Sequence, residues 1–111
     1  MIEIRAFIND GEGRFLDFEA GDRLATGPVL ALPDTSDQEA LDAAWLAGNR
    51  MDADRPWPAT VRSLSVGDVL VLRGGPAGPT ARAYAVARFG FAALDPAAVV
   101  DALAFGLPKA F

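Results

Sequence analysis

Histidine and cysteine are both absent from this chain, so the residues able to do chemistry are carboxylates, serines and arginines. That absence removes disulfides, Cys/His zinc sites, thiol nucleophiles and histidine general bases together. Asp52 and Asp54 stand in a D-x-D spacing that could offer two oxygen ligands to Mg²⁺ or Ca²⁺. A calcium loop needs more ligands and a glycine at its sharp turn, and the flanking Arg50 and Arg55 would neutralise the acids. The spacing therefore favours a salt-bridged structural loop. The string Arg62-Ser63-Leu64-Ser65-Val66-Gly67-Asp68-Val69 presents two hydroxyls with no neighbouring base, the only lysine being the remote Lys109. A structural reading explains each residue better: Gly67 supplies a turn, Asp68 caps it through backbone amides, and Leu64 and Val66 enter the core. Arg73-Gly74-Gly75 is a fragment of a phosphate-cradling pattern without its Lys-Ser/Thr or its helix, and reads as a hairpin tip. No catalytic residue, cofactor or metal site is assigned. An enzyme built on carboxylates alone would have to use Asp52, Asp54 and Asp68.

Arg62, Arg73, Arg82, Tyr84 and Arg88 form the candidate binding face. If residues 68–73 and 80–88 pair across a hairpin, Arg73 and Arg82 meet at its open end. Period-two geometry then puts Arg82, Tyr84 and Arg88 on one side. Such a face could stack on single-stranded nucleic acid or grip an acidic partner. It could equally be solvated, or neutralise the protein's own acids. Residues 1–54 carry 12 acids and 4 arginines, whereas residues 55–111 carry 3 acids and 6 bases, for a total of −5. An acidic total opposes non-specific nucleic-acid binding, which depends on clustered bases.

The elements that must position these residues are those of one small α+β domain spanning 1–111. Its 111 residues, 51% hydrophobic and 23% charged, suffice for one core. Ile2 to Ile8 alternates as a half-buried strand, with Asn9 to Gly13 as a turn and Phe15, Leu16 and Phe18 as a short second strand. Residues 23–32 read as extended, at a sheet edge because Pro28 lacks a donor. Ser36-Asp37-Gln38-Glu39 fits a capping box and opens the main helix, 36–48, with Leu41, Ala44, Trp45 and Gly48 on one face. Residues 50–60 form a proline loop, and Val61 begins another extended piece. Val69 to Leu72 is an interior strand, apolar on both faces. On strand 80–88, Ala81, Ala83, Ala85 and Ala87 make a face that a helix can approach closely. We expect helix 36–48 to lie there with Trp45 buried and Trp57 exposed. A last helix, 96–105, starts at Asp95-Pro96 and stops at Gly106. The architecture expected is a small antiparallel, partly curled sheet packed on the main helix plus this C-terminal helix.

The most apolar window, Phe89 to Leu107, carries Asp95, Pro96 and Asp101, which argues against a membrane span. The N-terminus has no signal-peptide pattern, so a cytoplasmic location is expected. The C-terminal helix nearly lacks a polar face. Val99, Val100, Leu103, Phe105 and Phe111 are thus a candidate interface for a homodimer, the alternative being that the helix closes the sheet's second face.

The helix ending in Asn49, then Asp54-Arg55-Pro56, the Arg62–Val69 string, Ala83-Tyr84-Ala85-Val86 and Gly90-Phe91 resemble the YodL-like family of small phage, plasmid and conjugative-element proteins. The resemblance covers Ala40 to Leu94. It implies a mobile-element accessory setting and carries over no catalytic residues. On these grounds we expect a non-catalytic protein-binding accessory protein. The alternatives are single-stranded nucleic-acid binding through the Arg/Tyr face and a carboxylate-dependent metal enzyme.

Overall fold

Alternation in I-E-I-R-A-F-I sends Ile2, Ile4, Ala6 and Ile8 to one side of a strand and Glu3, Arg5 and Phe7 to the other. In the computed structural model this is β1 (Ile2–Asn9). The structure describes residues 1–11 and 15–106, with side chains through Leu103 in the last helix. Four further strands, β2 (Leu24–Leu32), β3 (Val69–Gly74), β4 (Arg82–Val86) and β5 (Phe91–Leu94), join β1 in one open antiparallel sheet ordered β2-β1-β3-β4-β5. β3 is interior, which explains its Val-Leu-Val-Leu run, and β2 lies at an edge as its proline requires. The β1–β2 register slips between Arg5 and Phe7.

Helix α1 (Asp37–Gly48) starts where the capping residues predict, the Ser36 hydroxyl accepting from the Glu39 amide at 3.2 Å. Only half of the capping box forms. The Glu39 carboxylate accepts instead from the Thr35 hydroxyl at 2.7 Å. Helix α2 (Pro96–Gly106) follows Asp95, whose carboxylate caps the Ala97 amide at 3.0 Å. The two helices cover opposite faces of the sheet. Ala40, Leu41, Ala44 and Ala47 of α1 meet Ile2, Ile4, Ala6, Leu70, Leu72 and Val86. Val99 and Ala102 of α2 meet Phe7, Val69, Ala83 and Ala85.

The alanine face of β4 therefore packs on α2 and not on α1. The physical reason lies in its other face. Tyr84 and Arg82 reach Asp37 at the N-terminus of α1, and that shared contact turns the alanines to the other side. The small residues that let α1 approach the sheet belong to the helix itself: Ala40, Ala44, Ala47 and Gly48. A Cβ on Gly48 would stand 2.6 Å from that of Leu64. Trp45 flanks this seam at 37% exposure, whereas Trp57 is 6% exposed, filling the core from the proline loop and donating its indole N–H to the Arg62 carbonyl at 2.9 Å. The expected burial of the two tryptophans is thus reversed.

Residues 15–19 and 61–68 form no strand, so the short strand placed at Phe15–Phe18 and the extended piece placed at Val61 are both corrected. β5 was not anticipated. On α2, Val99 is buried, Leu103 partly so, and Val100 faces solvent, so the helix largely closes the sheet's second face. Phe105 and Phe111 lie outside the described side chains.

Trp57→Ala should destabilise the fold by about 3–5 kcal/mol in chemical denaturation. Trp45→Ala should cost much less, and the single-tryptophan protein retaining Trp57 should emit at shorter wavelength. The opposite order would refute this packing.

Candidate functional site

Asp68 ends the tight turn before β3 and is 0% exposed. A carboxylate held away from water needs a full set of donors, and this one has them. Oδ1 accepts from the Asn9 amide at 2.8 Å and from Arg62 Nη2 at 2.7 Å. Oδ2 accepts from Arg62 Nη1 at 2.8 Å and from the Ser65 amide at 2.8 Å. The Arg–carboxylate contact is bidentate, and the same guanidinium also donates to the Asn9 and Ser63 carbonyls. It lies 5.0 Å from the Phe15 ring centroid. Gly67 makes the turn possible. Its φ is +92°, and a Cβ there would come within 2.3 Å of the Leu16 carbonyl oxygen. Leu64 enters the core as predicted, whereas Val66 is only half-buried and lines a surface groove.

A second cluster joins the two halves of the chain. Arg82 holds Asp37 through two contacts of 2.8 and 3.0 Å, and the Tyr84 hydroxyl donates to the same carboxylate at 2.8 Å. Arg82 also donates to the Gly74, Gly78 and Thr80 carbonyls, which fixes the β3–β4 connection. The Arg82 hydrogen bond holds the Asp37 carboxyl below its ordinary value, against partial burial that would raise it, and the Tyr84 hydroxyl lowers it further. The hydrogen bond to Asp37 raises Arg82 in turn. Burial first, and then Asp37, push the Tyr84 phenol upward. Asp37 sits in the first turn of α1, where the helix dipole favours its charge.

The five residues of the candidate face are accordingly not assembled into one surface. Arg62 is bound to Asp68, and Arg82 and Tyr84 are committed to Asp37. Arg73 and Arg88 are exposed, but the β3–β4 register puts them at opposite ends of the strands. The D-x-D loop is likewise engaged, since Asp52 accepts from Arg55 at 2.7 Å and from the Asp54 amide at 3.0 Å. Arg55, then that amide, hold the Asp52 carboxyl below its usual value. Among the described residues no three acids converge as a metal-ion site. Arg50, in the left-handed region at φ 60°, ties the loop down through the Ser63 hydroxyl and the Pro58 and Val61 carbonyls.

The surface feature that the charged motifs did not signal is apolar. Trp45, Leu46, Met51 and Phe89 are exposed. Between α1 and the β4–β5 turn lies a groove of about 340 Å³ lined by Trp45, Val66, Val86, Phe91, Asp42 and Arg88 among others. The signal was present in the sequence, because a tryptophan beside an alanine/glycine seam has no room inside it. On the other side of the sheet, a smaller cleft of about 190 Å³ lies under α2, with Glu3, Arg5 and Arg73 along it.

No family model, no curated protein and no solved structure matches the chain.

Arg62→Met strands the buried Asp68 charge and should cost about 3–5 kcal/mol in urea denaturation. Adding Asp68→Leu should recover part of that loss and no more, because the Asn9 and Ser65 amides stay unpaired. A single-variant cost near that of a surface ion pair, below about 1 kcal/mol, would contradict the assignment. The chain has one tyrosine, so its ultraviolet absorbance titration reads Tyr84 alone. Its midpoint should lie above the ordinary phenol value of about 10 and fall in Asp37→Asn. Because the folded phenol is raised, the stability it contributes is full below pH about 10 and lost as pH rises beyond it. Asp37 is depressed, so its contribution is present above about pH 4 and lost as pH falls through the lower folded value. Asp37→Asn should remove the acid limb and reduce the alkaline one, which the burial of Tyr84 also sustains.

Proposed function

We propose that this chain is a non-catalytic protein-binding accessory module that engages its partner through the groove between α1 and the β4–β5 turn. The observation supporting this reading most directly is the groove itself, walled by Val66, Val86 and Phe91 with the exposed Trp45 on its rim. Apolar side chains gathered at one concavity mark contact surfaces, and pockets of a few hundred Å³ accept a single anchoring side chain. With Asp42 and Arg88 both on its lining, the fitting partner is a protein segment with an aliphatic or aromatic anchor flanked by one basic and one acidic residue. The resemblance to YodL-like proteins supplies the accessory, mobile-element setting.

The carboxylates that an enzyme would need have other work. Asp68 is saturated by four donors, Asp37 by Arg82 and Tyr84, and Asp52 by Arg55. Binding single-stranded nucleic acid through the five candidate residues would require Arg62, Arg82 and Tyr84 to leave those partners.

Affinity capture from host lysate with the wild type, Trp45→Ser and Arg73→Glu tests the reading. Capture lost in Trp45→Ser and kept in Arg73→Glu is the expected result. Capture indifferent to Trp45, or salt-dependent retention on single-stranded DNA lost in Arg73→Glu, would overturn it.

A further inference from the structure

The two edges of the sheet are built differently. β2 carries Pro28 and pairs with β1 through an irregular register, both of which discourage another strand from adding there. β5 reads Phe91-Ala92-Ala93-Leu94, with no proline, no charge and no register slip against β4. Among the described residues nothing pairs with its outer edge.

Hydrogen-bond alternation fixes which groups that edge presents. The Val86 amide and carbonyl bond to Asp68 and Gly67 on the β3 side, whereas the Ala87 amide bonds to Gly90 on the β5 side. Ala85 therefore exchanges hydrogen bonds with Ala92, and Ala83 with Leu94, given the observed register. It follows that the N–H and C=O groups of Phe91 and Ala93 point outward. Ala92 and Ala93 are both exposed, and methyl groups put nothing in the way of a neighbouring backbone.

We propose that β5 pairs antiparallel with β5 of a second copy of this chain, about a two-fold axis through Ala92, to make one sheet continuous across both copies. Three observations select a second copy over a different partner. In the register that sets Ala92 opposite its own counterpart, Phe91 bonds to Ala93 of the other copy and the reverse, so every outward group of β5 is used. The strand is bracketed by Arg88 at one end and Asp95 at the other, so antiparallel self-pairing places one residue of each sign, one register step apart, at both ends of the seam. Among the described residues no hydrogen bond or ion pair engages the Arg88 side chain, and in this register Phe89, 91% exposed beside it, comes to lie against the start of α2 of the other copy. A two-fold interface of this kind is self-complementary. It rests on the hydrogen-bonding edge of β5, shares Arg88 and Phe91 with the lining of the groove, and leaves the groove reading intact if it fails.

The test exploits a chain without cysteine. The wild type should sediment as a concentration-dependent dimer. Ala93→Pro removes only an outward amide, so its circular dichroism should match the wild type while its dissociation constant rises by about tenfold or more. Under mild oxidation Ala92→Cys should form a covalent dimer readily, because directly opposed residues of a non-hydrogen-bonded pair lie within disulfide reach. Ala93→Cys, whose counterpart lies diagonally across, should cross-link far less. Should Ala93→Pro not fold, the cross-linking contrast decides alone. A wild type monomeric throughout, equal cross-linking of both thiols, or a dimer that survives Ala93→Pro and is lost in Val100→Asp would each overturn the proposal.

Discussion

The bidentate contact between Arg62 and Asp68 is the constraint on which the rest of the molecule is arranged. A fully buried carboxylate is unfavourable unless every lone pair finds a donor, and the donors here come from three separate places: the end of β1, the loop after the proline turn, and the amide of Ser65. Satisfying one side chain therefore fixes where β1 stops, how residues 62–68 turn and where β3 begins. The Arg62 carbonyl extends the constraint into the main core by accepting from Trp57. Arg62 thus organises the loop through its guanidinium and the hydrophobic interior through its backbone. Lysine could not replace it, since a single ammonium cannot span both carboxylate oxygens while also reaching Asn9 and Ser63.

This economy of charge shapes the exposed surface. The sequence is lopsided, acidic before residue 55 and basic after it, yet folding brings Arg82 of the basic half onto Asp37 of the acidic half. Arg62 is consumed by its own turn. Side chains that would have made a conspicuous cationic face are spent holding elements together, and apolar groups are left as the distinctive exposed features. The groove beside Trp45, walled by Val66, Val86 and Phe91, is one such feature.

Local signals in the sequence were accurate where the chain decides its conformation locally. The serine cap of α1, the Asp95-Pro96 start of α2, the glycine-rich β3–β4 connection and the interior character of Val69–Leu72 all depend on neighbours within a few residues. The open antiparallel α+β architecture followed from them. What could not be read was which side of β4 meets which helix, since period-two alternation separates Arg82 and Tyr84 from Ala83 and Ala85 without naming the occupant of either side. The deciding fact is the reach of Tyr84 and Arg82 to Asp37, a contact spanning more than forty positions. The tryptophans were reversed for the same reason: alanine and glycine spacing in α1 showed a close seam, but the lump that fills the space beside it arrives from a loop. β5 was overlooked because Phe91–Leu94 merges into the apolar run leading to α2, where no polar residue before Asp95 marks a boundary.

The Arg62 string also illustrates how a motif can carry information without carrying chemistry. Arginine and aspartate six positions apart, with glycine just before the aspartate, look like a site because both charges are unusual company for Leu64 and Val69. The geometry accounts for each of them as a condition of the turn. Gly67 must adopt a positive φ beneath the Leu16 carbonyl, Asp68 must meet the amides that this turn exposes, and Arg62 must balance the resulting buried charge. A similar string in another chain therefore argues first for the same turn joining an edge loop to a central strand. Shared binding would have to be argued separately, from the residues that the turn leaves facing outward: here Val66, on the wall of the groove beside Trp45 and Phe91.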